Sequence, residues 1–395
     1  MTGSRCIPNN FPEPLTPGDT GAHLKQALED IVQNYPPLGQ YDRHSLQGLW
    51  SGPTGIAYLL LHVSAAHPKL IISGHHALTW AKSYLDGSRG SLKLSSRGCG
   101  IGEESLCYHA VAAAIRQDHA HVRKLVSCIT SVVQGDYPDE LLFGRAGTLY
   151  LLRMVRRWVP DSSPLVDDAV ARVTQKMIQD GPHWKWHGKR YVGAVHGDIG
   201  ILAQLVLTAP SVAPELEGLL DALLDAQLPD GNWPSSEGHT TASLVQFCHG
   251  APGFVHSLLS LREYFPNLQR KIDAAVQRGR ECIWTSGLLR KEPSLCHGIF
   301  GNALYVNVFH HLSFVPDKML TVCKRALPPG QQREHFLAVA TPERMSQLRK
   351  QDETLFEPAD YGKPYSLTTG YAPCATWSWL VCGEEVPKVI AFNDV

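Results

Sequence analysis

Two Cys-His-Gly triplets are the part of this sequence most suited to chemistry. They begin at Cys248 and Cys296, and each precedes a turn of small residues and an apolar run. Thiolate and imidazole are ligands that zinc prefers in proteins. The sequence therefore predicts a zinc site built from Cys248, His249, Cys296 and His297. Their spacing leaves open whether all four bind, as in a closed structural site, or three bind and leave a position for substrate.

The triplets belong to a phrase that recurs along the whole chain. Pairs of glycines three residues apart precede apolar stretches, and a degraded copy and a copy with proline as its second glycine bring the number to seven. The first glycines of these copies are Gly52, Gly98, Gly144, Gly197, Gly250, Gly298 and Gly370. They lie about 46 to 53 residues apart, with a last spacing of about 72, which is typical of helix-pair repeats.

Each repeat is expected to contain two helices of different character. The segments after the glycine pairs carry almost no charge, which predicts helices buried on all sides. The segments between them place apolar residues at three- and four-residue spacing, which predicts amphipathic outer helices. The sequence therefore indicates an all-α fold, an α/α toroid of about seven helix pairs. The residues just before the inner helices would face its mouth.

Composition limits the classes of function. The 395 residues are 44% hydrophobic and 18% charged, and the formal net charge is −1, so no surface for nucleic acid is expected. No apolar run is long enough to predict a transmembrane segment, and no signal peptide is recognisable. We therefore expect a cytoplasmic protein whose ten cysteines are mostly unpaired. We predict a single domain over residues 1–395, with residues 1–20 extended and a longer connection over residues 324–362 that contains one exposed helix near Pro342.

Three further residues are candidates for the mouth. His196 precedes a turn glycine, as His249 and His297 do, but has no cysteine before it. We therefore interpret it as a titratable group near the metal, since histidine titrates near neutral pH. Glu140 and Arg145 flank the turn at Gly144 and are further candidates. Considered alone, each of these three residues is also compatible with a purely structural role.

Several motifs together resemble one protein family. These are the two Cys-His-Gly triplets in their order, "YVGAVHGDIGI", "DELLFGRAGTLYLL" and "PYSLTTGYAP". The chain resembles the lanthionine synthetase C-like proteins, specifically their eukaryotic branch, from about Gly52 to Leu380. The resemblance implies a double α-barrel of seven repeats with one zinc ion per chain. It also implies a zinc-dependent enzyme that adds a thiol, expected to be glutathione, to dehydroalanine or dehydrobutyrine in a peptide or protein, forming a thioether.

The resemblance also assigns roles to residues. The family's zinc ligands correspond to Cys248, Cys296 and His297. His196 corresponds to the family's active-site histidine, and Glu140 to an aspartate of the bacterial enzymes. His249 would then act near the reacting carbons without binding metal. Arg145 is expected to contact the co-substrate.

Two other functions stay open. Thr369 and Pro373 replace an acidic residue and a glycine that the family usually shows in the last repeat. This departure favours a zinc-containing scaffold that binds glutathione or a peptide without turnover. A glycosidase would need paired carboxylates beside a pocket, and the residues able to supply them are Asp139, Glu140 and Glu237.

Overall fold

Helices dominate the computed structural model, which describes residues 5–239, 241, 244–306, 329–358 and 363–395. In this part of the chain, seven helices are buried along nearly their whole length and form an inner ring. They are α2 (Pro53–Ala66), α4 (Glu104–Arg116), α7 (Arg145–Trp158), α9 (Asp198–Thr208), α11 (Ala251–Leu261), α13 (Ile299–Tyr305) and α16 (Tyr371–Val381). Most of these helices carry apolar residues on all of their faces, so their sequences require burial on every side.

The other helices lie outside this ring and bury one face. They are α1 (Thr20–Asn34), α3 (Ala77–Asp86), α5 (His119–Ser127), α6 (Ile129–Gln134), α8 (Ser163–Asp180), α10 (Ala213–Asp225), α12 (Gln269–Ser286), α14 (Pro329–Val339) and α15 (Pro342–Arg349). Short elements complete the structure: an antiparallel hairpin of β1 (Ile71–Ile72) and β2 (His75–His76), and 3-10 helices over Arg43–Ser45, Pro210–Val212, Arg262–Tyr264 and Pro266–Leu268.

Contacts between neighbouring inner helices close the ring. Each inner helix packs against the next one along the chain, and α16 packs against α2. An outer helix follows each of the first six inner helices and packs against it, whereas α16 packs against α1, which comes from the start of the chain. The structure is therefore the predicted α/α toroid, and its first outer helix and last inner helix form one pair.

The segment predicted as a longer connection contains more structure than expected. Residues 324–328 and 359–362 lie outside the described residues, but α14 and α15 lie between them. The helix α14 packs against α13 and so provides the outer helix of the sixth repeat. The short helix α15 is the exposed helix predicted near Pro342. In the N-terminal segment predicted as extended, residues 5–19 contain no helix and α1 begins at Thr20, while residues 1–4 lie outside the described part.

Residues 387–395 occupy the interior of the ring. Four inner helices hold them through side-chain hydrogen bonds, which include those from Gln204 to the carbonyl of Ala391 and from Arg153 to the carbonyl of Phe392. Asp394 is buried and accepts hydrogen bonds from the hydroxyls of Tyr58 (2.6 Å) and Tyr150 (2.7 Å). This segment therefore fills the space between the inner helices below their first turns.

Candidate active site

The turns that begin the inner helices are built on glycine for steric reasons. Gly250, the residue before α11, has φ 107°, a conformation that side chains with a Cβ rarely adopt. At Gly253, a Cβ would lie only 2.1 Å from the carbonyl oxygen of Phe247, six residues earlier. The chain therefore folds back tightly over residues 247–250, which places Cys248 and His249 at the mouth of the ring.

Backbone hydrogen bonds join the turns of successive repeats around this mouth. The amide of Cys248 donates to the carbonyl of Cys296 (3.1 Å), and the amide of Cys296 donates to the carbonyl of Thr368 (2.9 Å). Cys248, Cys296 and Thr368 each precede their turn glycine by two residues, so equivalent positions come together although tens of residues separate them in sequence. At another junction, the amide of Leu141 donates to the carbonyl of Val195 at 3.0 Å.

Cys248, Cys296 and His297 converge at one point of the mouth. Their candidate ligand atoms all lie within 4.8 Å of one another, and this is the single such group of three or more among the described residues. Hydrogen bonds from Cys296 and His297 lower the pKa of the Cys248 thiol well below its usual range. The pKa of Cys296 is raised by its hydrogen bond to Cys248 and by burial.

The chemistry of this donor set fits a zinc ion. Two sulfurs and one imidazole nitrogen match the ligands of catalytic zinc sites that keep one position open. The amide Nε2 of the buried Gln246 lies 3.1 Å from the sulfur of Cys248 and donates a hydrogen bond to it. Such outer contacts orient metal ligands and tune their charge. We therefore identify Cys248, Cys296 and His297 as the residues able to hold the ion.

A cavity of about 210 Å³ opens beside this group. His196 and His249 line it together with the three candidate ligands, and its floor includes Val389, Ile390 and Ala391 from the segment inside the ring. The remaining lining residues are Trp50, Ile101, Leu141, Leu142, Val195, Gln246, Phe247, Leu295, Leu304, Tyr305, Thr368, Thr369 and Trp377. The cavity is thus mostly apolar, with its polar groups concentrated at the turns.

His196 is held firmly at the edge of this cavity. Its Nδ1 lies 2.6 Å from a carboxylate oxygen of Glu140, and its ring stacks on Trp186 at a centroid distance of 4.0 Å and an interplanar angle of 1°. Glu140 is only 1% exposed and also accepts hydrogen bonds from the amides of Leu142 and Phe143. Because a carboxylate accepts at Nδ1, the other ring nitrogen of His196 is left for the cavity.

His249 also lines the cavity but has a different environment. Its ring lies 5.7 Å from Tyr191 and 6.2 Å from His196, measured between centroids. Burial lowers its pKa, which favours a neutral imidazole. Its Nδ1 has no hydrogen-bond partner among the residues that the structure describes. The group of candidate ligand atoms that lie within 4.8 Å of one another does not include His249.

The structure corrects the prediction that Arg145 lies at the mouth. Its side chain is 2% exposed and is not among the residues that line the cavity. The guanidinium pairs with Asp139 at 2.9 Å and donates to the carbonyls of Val132, Gly135 and Tyr137. As the first residue of α7, it points towards the preceding loop, where it stabilises the turn.

The carboxylates considered for a glycosidase do not form a pair at the cavity. Asp139 is paired with Arg145, and the exposed Glu237 is paired with Arg190 at 2.9 Å. Glu140 contacts His196 and is not part of the cavity lining. The arrangement that glycoside hydrolysis requires is therefore missing at this site.

Several residues of the site were not predicted from the sequence. Gln246 and Trp186 contact functional residues from outside the glycine turns, and Val389, Ile390 and Ala391 reach the cavity from a distant segment. Gln246 could have been considered from the sequence because it lies two residues before Cys248. The sequence gives no such indication for the other four residues, because their contribution depends on how distant segments of the chain pack at the site.

Comparison with known proteins gives a consistent result. The family profile for lanthionine synthetase C-like proteins matches residues 34–313. A zebrafish (Danio rerio) protein named glutathione S-transferase LANCL1 is 30% identical over 300 residues, which are 69% of this chain and 72% of that protein. The Arabidopsis thaliana LanC-like protein GCL1 is 35% identical over 178 residues, or 42% of this chain and 40% of that protein.

A solved structure supports the same architecture. The structure titled nisin cyclase aligns with a TM-score of 0.56 and covers 90% of this chain and 93% of its own. The sequence identity of the two chains is 13%, so the likeness concerns the fold alone. It agrees with the α/α toroid observed here.

Proposed function

Because this chain belongs to the lanthionine synthetase C-like family, we propose that it adds a thiol across the double bond of dehydroalanine or dehydrobutyrine residues. The product is a thioether in a peptide or protein, and the expected thiol is glutathione. The observation that carries this proposal is the convergence of Cys248, Cys296 and His297 at a cavity that also receives His196.

The residues of the site would have different roles in this reaction. Cys248, Cys296 and His297 would hold zinc, which when bound lowers the pKa of a substrate thiol so that the nucleophilic thiolate forms at neutral pH. Leu142, Val195 and Leu304 would surround the reacting carbons with apolar groups and exclude water from them. Gln246 would keep Cys248 in place through its hydrogen bond.

Protonation completes the addition. As the carbon–sulfur bond forms at the β-carbon, the π electrons move towards the acyl group, and the α-carbon then requires a proton. His196 faces the cavity with the ring nitrogen that Glu140 does not bind, so we assign it as the acid. Glu140 acts as its positioning residue, and His249 is a second candidate for proton transfer. The thiol proton is released and the α-carbon gains one, so the reaction needs no oxidant or reductant.

The comparisons support the reaction class at the level of the family. One relative bears the name glutathione S-transferase, and the structural neighbour bears the name nisin cyclase. The use of glutathione, and of zinc, by this chain is the finer part of the proposal.

Mass spectrometry of the purified protein tests the proposal. The protein would be analysed for zinc and incubated with glutathione and a dehydroalanine peptide, with and without a chelator, beside a sample reloaded with zinc. We expect a glutathione adduct that the chelator prevents and that reloading restores. An adduct yield equal to that of the peptide and thiol alone would reject the enzyme.

One observation favours a second candidate function. Thr369 lines the cavity in place of the family's acidic residue, and Pro373 replaces the second turn glycine. A scaffold that binds zinc and a thiol without turnover would explain these changes. The same experiment separates the two functions, because a scaffold would contain zinc and bind glutathione but form no adduct.

We also propose a location for the protein in the cell. Eight of the described cysteines are free thiols, which suits the reducing cytoplasm that we propose: Cys99, Cys107, Cys128, Cys248, Cys282, Cys296, Cys374 and Cys382. Among the described residues, no helix combines the length and the apolar character needed to span a membrane.

A further inference from the structure

Two adjacent threonines of the last repeat place unused hydroxyl groups at the cavity. Thr368 and Thr369 both line it, and Thr369 is 4% exposed. The Oγ1 atom of each is buried and has no hydrogen-bond partner in the described part of the chain. The backbone around them is well fixed, since Cys296 donates to the carbonyl of Thr368 and Ser366 accepts from the amide of Thr369.

Such an arrangement is unfavourable for the protein alone. A buried hydroxyl without a partner costs about 1–3 kcal/mol of stability. The threonines on the inner helices avoid this cost, because each of them makes a side-chain hydrogen bond. They are Thr54, Thr148, Thr208 and Thr376. Other buried hydroxyls without a partner among the described residues, those of Thr174, Ser257 and Ser378, do not line the cavity. Thr368 and Thr369 do line it, so a molecule bound in the cavity can supply their partner.

The repeat places this pair in the register of the functional residues. Thr368 stands two residues before its turn glycine, as Cys248 and Cys296 do. Thr369 stands directly before that glycine, as His196 and His297 do. The hydroxyls therefore occupy the mouth of the ring at the same level as the candidate ligands and the candidate acid.

The hydrogen-bonding character of the pair favours an oxygen ligand with negative charge. A hydroxyl donates a hydrogen bond to such an oxygen, which the carboxylate usual in the family does not do when ionised. A negatively charged oxygen beside this pair would thus meet two donors.

We propose that Thr368 and Thr369 bind the acyl oxygen of the dehydroamino acid and stabilise the negative charge that it gains during thiol addition. The inference rests on the proposed function. The carbon–sulfur bond forms at the β-carbon while the alkene π pair shifts to give an enolate, whose oxygen accepts from the two hydroxyls. The enolate pair then takes a proton from His196 at the α-carbon. Donors aimed at such a developing charge accelerate reactions because they require no reorganisation.

Variants that remove only the hydroxyl give a direct test. Thr369→Val and Thr368→Val keep the shape of the side chain, and Thr369→Ser restores the donor. The matched control is Thr376→Val on α16, whose buried hydroxyl donates to the carbonyl of Ala372. For each full-length variant we would measure zinc content, steady-state kinetics, and calorimetric binding of acetyl-dehydroalanine amide without thiol.

The expected result separates the proposed role from a structural one. Thr369→Val should lower kcat by about 10- to 100-fold, weaken binding of the amide, and leave zinc content and the KM for glutathione unchanged. Its resistance to urea should not fall, because the lost hydroxyl has no protein partner. Thr369→Ser should recover most of the rate, and Thr376→Val should retain wild-type kcat.

Three outcomes would overturn the inference or separate it from the proposed function. Unchanged kcat and amide affinity in both valine variants would reject it. A raised KM for glutathione with unchanged kcat would also reject it, and would assign the pair to a carboxylate of the thiol. If the wild-type protein forms no adduct, the proposed function fails, and binding of the amide decides the inference: hydroxyl-dependent binding supports it, and absent binding rejects it.

Discussion

The mouth and the interior of the ring both bury ionisable side chains, but they use them differently. In the interior, Asp394 accepts from Tyr58 and Tyr150, and Arg153 donates to Phe392 and Thr208. At the mouth, Cys248 and its neighbours adjoin a cavity that a second molecule can enter. Burial of a polar group therefore does not by itself mark a functional site, whereas a buried polar group beside a cavity can contact a second molecule.

Burial also shifts the pKa values of the two regions with different consequences. In the interior, burial raises the pKa of Asp394 and lowers that of His62 to about 3, so His62 is uncharged near pH 7 although its side chain lies 3.9 Å from the Asp394 carboxyl group. At the mouth, hydrogen bonds from neighbours outweigh burial and lower the pKa of Cys248. Near pH 7 the interior histidine His62 is thus uncharged, whereas the surroundings of Cys248 at the mouth favour its thiolate form.

Loss of a candidate ligand should give the largest effect, because the mouth is the region to which we assign the reaction. Cys296→Ala leaves two of three ligands, so we expect zinc content to fall from about one equivalent to near zero, and activity with it. Elemental analysis after dialysis measures this. Cys128→Ala, a half-buried cysteine outside the cavity, is the control. Full zinc content in the Cys296 variant would contradict the ligand assignment.

Replacement of the candidate acid should have the next largest effect. His196→Asn removes the proton donor but no ligand, so we expect unchanged zinc and a rate lowered by about 10²- to 10⁴-fold. Adduct formation followed by mass spectrometry, in parallel with metal analysis, measures both. Full activity of this variant would remove His196 from the mechanism.

The interior should respond to acid through its buried histidines. The pKa of His62 is about 3 in the folded protein, below the ordinary value of 6.5, so between these values the unfolded chain binds a proton that the folded chain does not. Its contribution to stability is complete above pH 6.5 and is lost as pH falls, by up to about 1.4 kcal/mol per pH unit.

Urea denaturation at pH 7, 6 and 5 tests this pH dependence. His62→Phe keeps the aromatic packing against Tyr58, Trp158 and Trp377 and should reduce the loss of stability with acid. The same change at the exposed His67 should leave the pH dependence as it is in the wild type. Equal slopes in the wild type and the His62 variant would show that this residue does not titrate as described.

The aromatic support of His196 should have the smallest effect. Trp186 stacks on the imidazole without touching the candidate ligands, so Trp186→Ala should slow adduct formation by about 3- to 10-fold and alter its pH profile. Trp186→Phe should recover most of the rate because it keeps a ring in place. An identical pH profile in the alanine variant would indicate packing alone.

The repeated glycine turn predicted the fold and placed four possible ligands at one level of the ring, and the family resemblance then selected three of them. Cys248 and Cys296 stand at the same distance before their turn glycines, and a closed ring brings such positions to one level. The turn requires glycine because a side chain would collide with the backbone, as a Cβ at Gly253 would. This requirement leaves a repeated glycine pair in the sequence, and the distance of each residue from that pair can be read without coordinates.

The orientation of individual side chains, and the positions to which distant segments of the chain return, could not be inferred in this way. Arg145 follows a turn glycine, but its side chain points away from the cavity, a rotation that depends on the carbonyls of the preceding loop. The outer helix α14 lies in a charged segment whose pattern predicted a connection. Residues 389–391 carry no motif, and only tertiary packing brings them to the cavity floor.

The segment inside the ring limits how a polypeptide could reach this site. In the described part of the chain, residues 389–391 line the cavity and the residues after them are held between the inner helices, so a polypeptide cannot thread through the barrel there. Under the proposed function, the reactive residue of a substrate would enter and leave by the same opening, while the chain on either side of it stays outside. Residues at exposed loop tips or frayed ends meet this condition, so the proposed reaction would select for accessibility of the modified residue rather than for a long sequence around it.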